Sequence, residues 1–154
     1  MALSKGSKAP DFSLPSTEGR TFKLSETLVG KPCILYFYPK DFTPGCTQEA
    51  CDFRDHFSYF RDLEIDVVGI SRDSVKVHQK FKATHKLPFE LLADERGAVS
   101  KKYQASLPFL GLSRRITYLL DNDHKIVEVY ESMFAAGSHI KKMIAASKNN
   151  FSGS

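Results

Sequence analysis

The chain has 154 residues, 42 % hydrophobic and 26 % charged, with a net charge of +4. That balance excludes a disordered polymer and supplies enough apolar surface for one full core without staples. No apolar run approaches the ~20 residues of a membrane-crossing helix, and Lys and Arg are spread along the chain rather than gathered into a nucleic-acid patch.

The N-terminal residues lack the apolar stretch of a secretory signal, and three cysteines, an odd number, do not suit a secreted disulfide framework. A reducing cytoplasm is the expected compartment. One domain over residues 1–147 is expected, with a disordered polar tail over 148–154.

In chain order, two short strands at 11–14 and 21–24 flank the turn Ser16-Thr17-Glu18-Gly19 and predict an N-terminal β-hairpin. Residues 33–38 are apolar on both faces, as in a central strand covered on both sides, and Pro39 stops the run. A single helix is predicted over 44–63, with Thr43 as N-cap and Pro44 in the first helical position. A second inner strand covers 66–71. A helix follows from Ser74 to about His85, with Val77 and Phe81 facing inward. Residues 89–92 read as a strand and 98–103 as a short helix. Strands at 116–120 and 126–130 surround the turn Asp121-Asn122-Asp123, and a last helix runs from a Ser138 cap to about Ala146. Alternating strands and helices predict an α/β domain, at least partly parallel.

On a wheel of about 100° per residue, Ala50, Phe53, Phe57 and Phe60 lie within about 40° of Cys46, whereas Cys51 lies about 140° away. Cys46 therefore starts the apolar stripe, and Cys51 faces away from it. A thiol in a first helical turn meets unpaired N–H groups and the positive end of the dipole, which favour thiolate. Wheel position alone leaves two readings, a small core residue or a reactive thiol. Pro39, Thr43 and Cys46 also form Pro-x-x-x-Thr-x-x-Cys at a strand-to-helix junction, where Pro39 can shield the sulfur and the Thr43 hydroxyl can both accept and donate.

The run from Tyr36 to Asp55, which contains Tyr-Pro-Lys-Asp-Phe-Thr-Pro-Gly-Cys-Thr-Gln-Glu-Ala-Cys, resembles the active-site signature of the peroxiredoxins. More narrowly it is similar to the peroxiredoxin Q / bacterioferritin comigratory protein subfamily. The likeness continues in Lys8-Ala-Pro-Asp-Phe12, in Asp73-Ser74 with Lys86-Leu-Pro-Phe89, and in Arg115-Ile-Thr-Tyr-Leu-Leu-Asp121, and spans about residues 6–146.

This resemblance implies a thioredoxin-like fold, a central mixed sheet with helices on both faces. It also implies thiol-dependent reduction of hydrogen peroxide or organic hydroperoxides. Cys46 then matches the peroxidatic cysteine, Cys51 the resolving cysteine, and Thr43 and Pro39 the pocket positions. Arg115 matches the pocket arginine and Glu49 the acid that supports it. Arg115 is preferred to the adjacent Arg114 because it directly precedes the Thr-Tyr-Leu strand. The reductant implied is thioredoxin or a similar dithiol protein, and no metal or other cofactor is called for. A monomer is expected, with no nucleic-acid or membrane partner. Five residues on a helix separate Cα atoms by ~8.6 Å, beyond the ~7 Å limit for a disulfide, so a Cys46–Cys51 bond requires the helix to open.

Other candidates have plainer readings. Cys33 opens an apolar strand and is expected in the core. Cys46, Cys51 and His56 step round the helix and cannot converge on a metal. His78 and His85 are expected on a solvated face. Gly45 and Gly111 lack the partners of a phosphate loop, and residues 104–113 are expected to wall the pocket. A redox sensor or chaperone-like binding protein on the same fold is the alternative function, separable because a sensor stops after one equivalent of peroxide.

Overall fold

The computed structural model describes residues 2–107, 109–133 and 135–151. The elements are β1 (Ser13–Pro15), β2 (Thr21–Lys23), α1 (Leu24–Thr27), β3 (Cys33–Phe37), α2 (Pro44–Asp55), α3 (Phe57–Asp62), β4 (Asp66–Ser71), α4 (Val75–His85), β5 (Glu90–Ala93), α5 (Ala98–Lys102), β6 (Ser106–Leu107), β7 (Leu112–Ser113), β8 (Ile116–Leu120), β9 (Ile126–Glu131) and α6 (Ala136–Phe151). Five strands form one sheet in the order β5-β4-β3-β8-β9. β3 runs parallel to β4 and antiparallel to β8, so the sheet is mixed.

β3 is buried along its whole length because both faces of the sheet are covered. Its pleat divides the core. Cys33, Leu35 and Phe37 join Phe12 and Phe22 of the N-terminal hairpin, Val99 of α5 and Tyr118. Ile34 and Tyr36 join Cys46, Ala50 and Phe53 of α2, Phe60 of α3, Phe81 of α4 and Met143 of α6. The ring of Phe53 stacks on Tyr36 at 4.8 Å, which seats α2 on the sheet. Among the described residues no helix is long and apolar enough to cross a membrane.

Four expectations change. The helix predicted over 44–63 is two, parted at His56, which leaves helical geometry at φ −108°, ψ 11°. There the Asp52 carbonyl meets both the backbone N–H of His56 and its ring Nδ1, and no Gly or Pro marks the break. The last helix begins at Ala136, not at a Ser138 cap, and continues through Phe151. Residues 148–151 of the expected tail are therefore helical, because Ser147 is buried and Phe151 packs on the core of that face; residues 152–154 lie outside the described residues. On α4 the inward pair is His78 and Phe81, and Val77 is exposed. His78 is thus a buried residue, drawn in by a carboxylate described below. Residues 104–113 include a small β6–β7 hairpin with Phe109 and Leu110 exposed near its tip.

Candidate active site

The site grows from the junction of β3 and α2. Thr43 has extended geometry at the N-cap (φ −95°, ψ 152°) and Pro44 begins the helix. The Thr43 hydroxyl donates to the Lys40 carbonyl at 2.7 Å rather than capping the helix. Its lone pairs stay free to accept. Pro44 has no N–H, so the N–H groups of Gly45 and Cys46 carry the positive end of α2 at the sulfur. Pro39, four residues before Thr43, is half-buried.

Cys46 is buried at the head of the apolar stripe, as its wheel position predicts. Arg115, just before β8, reaches it across the sheet: Nη2 lies 3.4 Å from Sγ. Nη1 donates to Glu49 Oε1 at 2.7 Å, and Nε donates to the Met133 carbonyl at 3.3 Å. Three partners thus orient one guanidinium. Burial works against the Arg115 charge, but the Glu49 and Cys46 groups beside it outweigh that and raise its pKa above the ordinary guanidinium value. Arg114 instead points outward to Glu131 at 3.0 Å. Burial pushes Glu49 up to about 8 against the pull of Arg115.

Cys51 lies on the same helix, half-buried, and Cys33 is fully buried in β3. Burial drives the Cys33 thiol well above its usual range, which makes it inert. All three cysteines are free thiols.

Residues 5–129 match the AhpC/TSA family. The chain belongs to that family. It is 42 % identical over 139 residues to the chloroplastic peroxiredoxin Q of rice, Oryza sativa subsp. japonica, covering 90 % of this chain and 64 % of the relative's length. With the peroxiredoxin Bcp of Bacillus subtilis it shares 39 % identity over 140 residues, 86 % of this chain and 88 % of that protein. The crystal structure of peroxidoxin BcpB from Mycobacterium tuberculosis superposes with a TM-score of 0.89 at 35 % identity, covering 96 % of this chain and 98 % of that one. The fold is accordingly thioredoxin-like, as the AhpC/TSA membership leads one to expect.

Several residues around this AhpC/TSA site carried no local signal. Gly45 leaves room for the guanidinium, since a Cβ there would meet Arg115 Nη2 at 3.0 Å. His139 of α6 sits 3.6 Å from Glu49 Oε2. Phe42 adopts a left-handed conformation (φ 63°), which is uncommon for a bulky residue and marks a constrained loop.

The constraint comes from Asp41. Its backbone N–H donates to Asp73 Oδ2 at 2.9 Å, Tyr38 Oη donates to its Oδ1 at 2.6 Å, and His78 Nδ1 lies 2.6 Å from its Oδ2. The other ring nitrogen of His78 meets the Leu92 carbonyl at 2.9 Å. The expected solvated face for His78 is overturned for this reason. Asp41, Asp73 and His78 do place ligand atoms within 4.8 Å of one another, but each of those side chains is already engaged in the hydrogen bonds just described. The grouping anchors the loop that carries Pro39 and Thr43.

Proposed function

We propose that the protein is a thiol peroxidase acting on hydrogen peroxide and organic hydroperoxides, with Cys46 as the nucleophile. The observation that carries this reading is the 3.4 Å contact between Arg115 Nη2 and Cys46 Sγ at the first turn of α2. A cation and two helix N–H groups favour the sulfur anion and can also take charge that develops on a departing oxygen.

In the proposed mechanism the Cys46 thiolate attacks one oxygen of the O–O bond. An S–O bond forms, the O–O bond breaks, the attacked oxygen keeps its hydrogen as the sulfenic acid, and the leaving alkoxide or hydroxide takes a proton from solvent to depart as alcohol or water. The Thr43 hydroxyl, its hydrogen committed to Lys40, accepts the hydroperoxide hydrogen and orients it. Pro39 excludes water from the sulfur. Glu49 holds Arg115 in place. Cys46 is left as sulfenic acid.

Cys51 is proposed as the resolving thiol. It condenses with the sulfenic acid, releasing water and forming an intramolecular disulfide. Thioredoxin or a similar dithiol protein then reduces that disulfide by exchange. The proposed setting is a reducing cytoplasm, with a monomeric enzyme and no metal or organic cofactor.

The deciding experiment is NADPH-coupled peroxide turnover with thioredoxin and thioredoxin reductase. Wild type should consume many equivalents, Cys46→Ser none, and Cys33→Ser as many as wild type. Consumption that stops after one equivalent would make the protein a sensor instead. Turnover surviving in Cys46→Ser would remove Cys46 from the reaction.

A further inference from the structure

Phe42 is 47 % exposed, although an aromatic ring gains much from burial, and its backbone is held in the left-handed region at φ 63°. The loop therefore keeps the ring at the surface, where it meets Phe81 at 5.1 Å and His85 at 6.3 Å on α4. Val77 stands one turn before Phe81 on the same stripe of α4 and is 38 % exposed. Exposed aromatic rings beside aliphatic groups are the usual anchors of protein interfaces.

This apolar surface is continuous with the second thiol. Arg54 Nη1 donates to the His85 carbonyl at 2.8 Å and so ties α2 to the end of α4. Cys51 lies one turn before Arg54 and is half-buried. Phe42 and Cys51 are thus linked through the Arg54–His85 contact. Phe42, Arg54 and α4 also lie outside the first turns of α2, the part that a Cys46–Cys51 bond must open.

The charge around the ring has one sign. Lys40 is two residues before Phe42, Lys80 is beside Val77 at three positions along α4, and Lys86 follows His85. All three are exposed, and none forms an ion pair among the described residues. Asp55, on the same stretch of α2 as Arg54, is already paired with it at 2.9 Å.

We propose that Phe42 and Val77, with Lys40, Lys80 and Lys86 around them, are the docking surface for the dithiol protein that reduces the Cys46–Cys51 disulfide. The partner fitted to it carries its reactive thiol in an apolar surface bordered by carboxylates. The proposal rests on the reading of the chain as a thiol peroxidase resolved by Cys51.

The chemistry fits this side of the molecule. A partner thiolate attacks Cys51 Sγ, a mixed disulfide forms, and the Cys46–Cys51 bond breaks with Cys46 leaving as thiolate. Cys46 is the better leaving group because Arg115 stabilises its anion. The partner's second thiol then attacks its own sulfur in the mixed disulfide and gives its proton to the departing Cys51. The partner ends as a disulfide, and both cysteines of this chain end reduced.

The test follows reduction of the peroxide-treated, disulfide-bonded protein by thioredoxin and, separately, by dithiothreitol, a small dithiol that needs no docking surface. Phe42→Asn removes the ring while suiting the left-handed backbone. It should lower the second-order rate constant with thioredoxin at least about ten-fold and leave that with dithiothreitol within about two-fold. Val77→Ser, on a separate element, should lower the thioredoxin rate about three-fold. The wild-type thioredoxin rate should fall as salt is raised, and the Lys40→Glu/Lys80→Glu protein should be about ten-fold slower and lose that dependence.

Thioredoxin rates within about two-fold of wild type in both Phe42→Asn and the lysine variant, or equal losses with both reductants, overturn the proposal. So does wild type that dithiothreitol reduces and thioredoxin does not. A reversible wild-type dimer that Phe42→Asn abolishes also overturns it, giving the face to a second copy of the chain. Failure of the peroxidase reading is distinguishable: peroxide would then form no Cys46–Cys51 disulfide, whereas failure of docking alone leaves that disulfide and its reduction by dithiothreitol intact.

Discussion

A Cβ on Gly45 would stand 3.0 Å from Nη2 of Arg115, the nitrogen that reaches the Cys46 sulfur. Gly45 lies inside α2 rather than at a turn, so glycine is present for close approach and not for backbone freedom. Alanine should make the helix itself more stable, by up to about 1 kcal/mol. The guanidinium, held by Glu49 and Met133, would have to give by a few tenths of an ångström. Gly45→Ala is expected to keep or raise the denaturation midpoint while slowing Cys46 alkylation about three- to ten-fold, a change of about 1 kcal/mol in stabilisation of the anion. Equal losses in stability and reactivity would argue against this role.

Arg114 and Arg115 are neighbours in sequence with opposite surroundings, one paired with Glu131 at the surface, the other buried against Cys46 and Glu49. Arg115→Ala should slow both peroxide consumption and alkylation at neutral pH by at least about ten-fold, because a nearby cation favours the sulfur anion. Arg114→Ala loses only an exposed pair worth about 0–1 kcal/mol and should leave both rates within about two-fold. Second-order rate constants for the two variants, measured side by side, check the assignment.

Cys46 and Cys51 share the unbroken helix α2 and are both free thiols. Their ideal helical separation, ~8.6 Å between Cα atoms, exceeds the ~7 Å a disulfide tolerates. Resolution by Cys51 therefore requires the first turns of α2, from about Pro44 to Asp52, to unwind; opening a helix end is far less costly than global unfolding. Hydrogen exchange should show residues 47–52 protected in reduced protein and unprotected after one equivalent of peroxide. Peptide mapping should find a Cys46–Cys51 disulfide, and Cys51→Ser should accumulate sulfenic and then sulfinic acid at Cys46. Pairing of Cys46 with Cys33, or with another chain, would refute this step.

Asp41 and His78 are both fully enclosed and meet at 2.6 Å. His78→Leu leaves a buried carboxylate without its main partner, a loss of about 3–5 kcal/mol. Chemical denaturation should show that loss. The loop carrying Phe42 and Thr43 should also become accessible to proteolysis, since its left-handed residue is held by the same anchor. A stability change below about 1 kcal/mol would mean that Asp73 and Tyr38 hold Asp41 without His78.

What the sequence by itself determined is what short-range physics controls. Pleat alternation and unbroken apolarity give β3 and β4 as central strands. Thr43 with Pro44 starts α2, and Ser74, whose Oγ accepts from the Val77 N–H at 3.2 Å, starts α4. The 3.6-residue period puts Cys46 inward and Cys51 away from the core. Each of these rests on neighbours within one or two turns. The resemblance named Arg115 and Glu49, but composition and spacing alone could not have chosen between two adjacent arginines.

Tertiary structure decided the rest, because the deciding partners are far apart along the chain. Arg115 meets Cys46 across 69 positions, His78 meets Asp41 across 37, and Thr117 meets His139 across 22. A histidine among lysines reads as solvated until a buried carboxylate turns its face of the helix inward. A polar C-terminal stretch reads as frayed until Ser147 and Phe151 find a surface to cover. Helix periodicity predicts one helix through His56, whose backbone instead leaves helical geometry at φ −108°, ψ 11°. For His78 and for the C-terminal stretch burial decides which contacts are worth making, and burial is a property of the assembled fold.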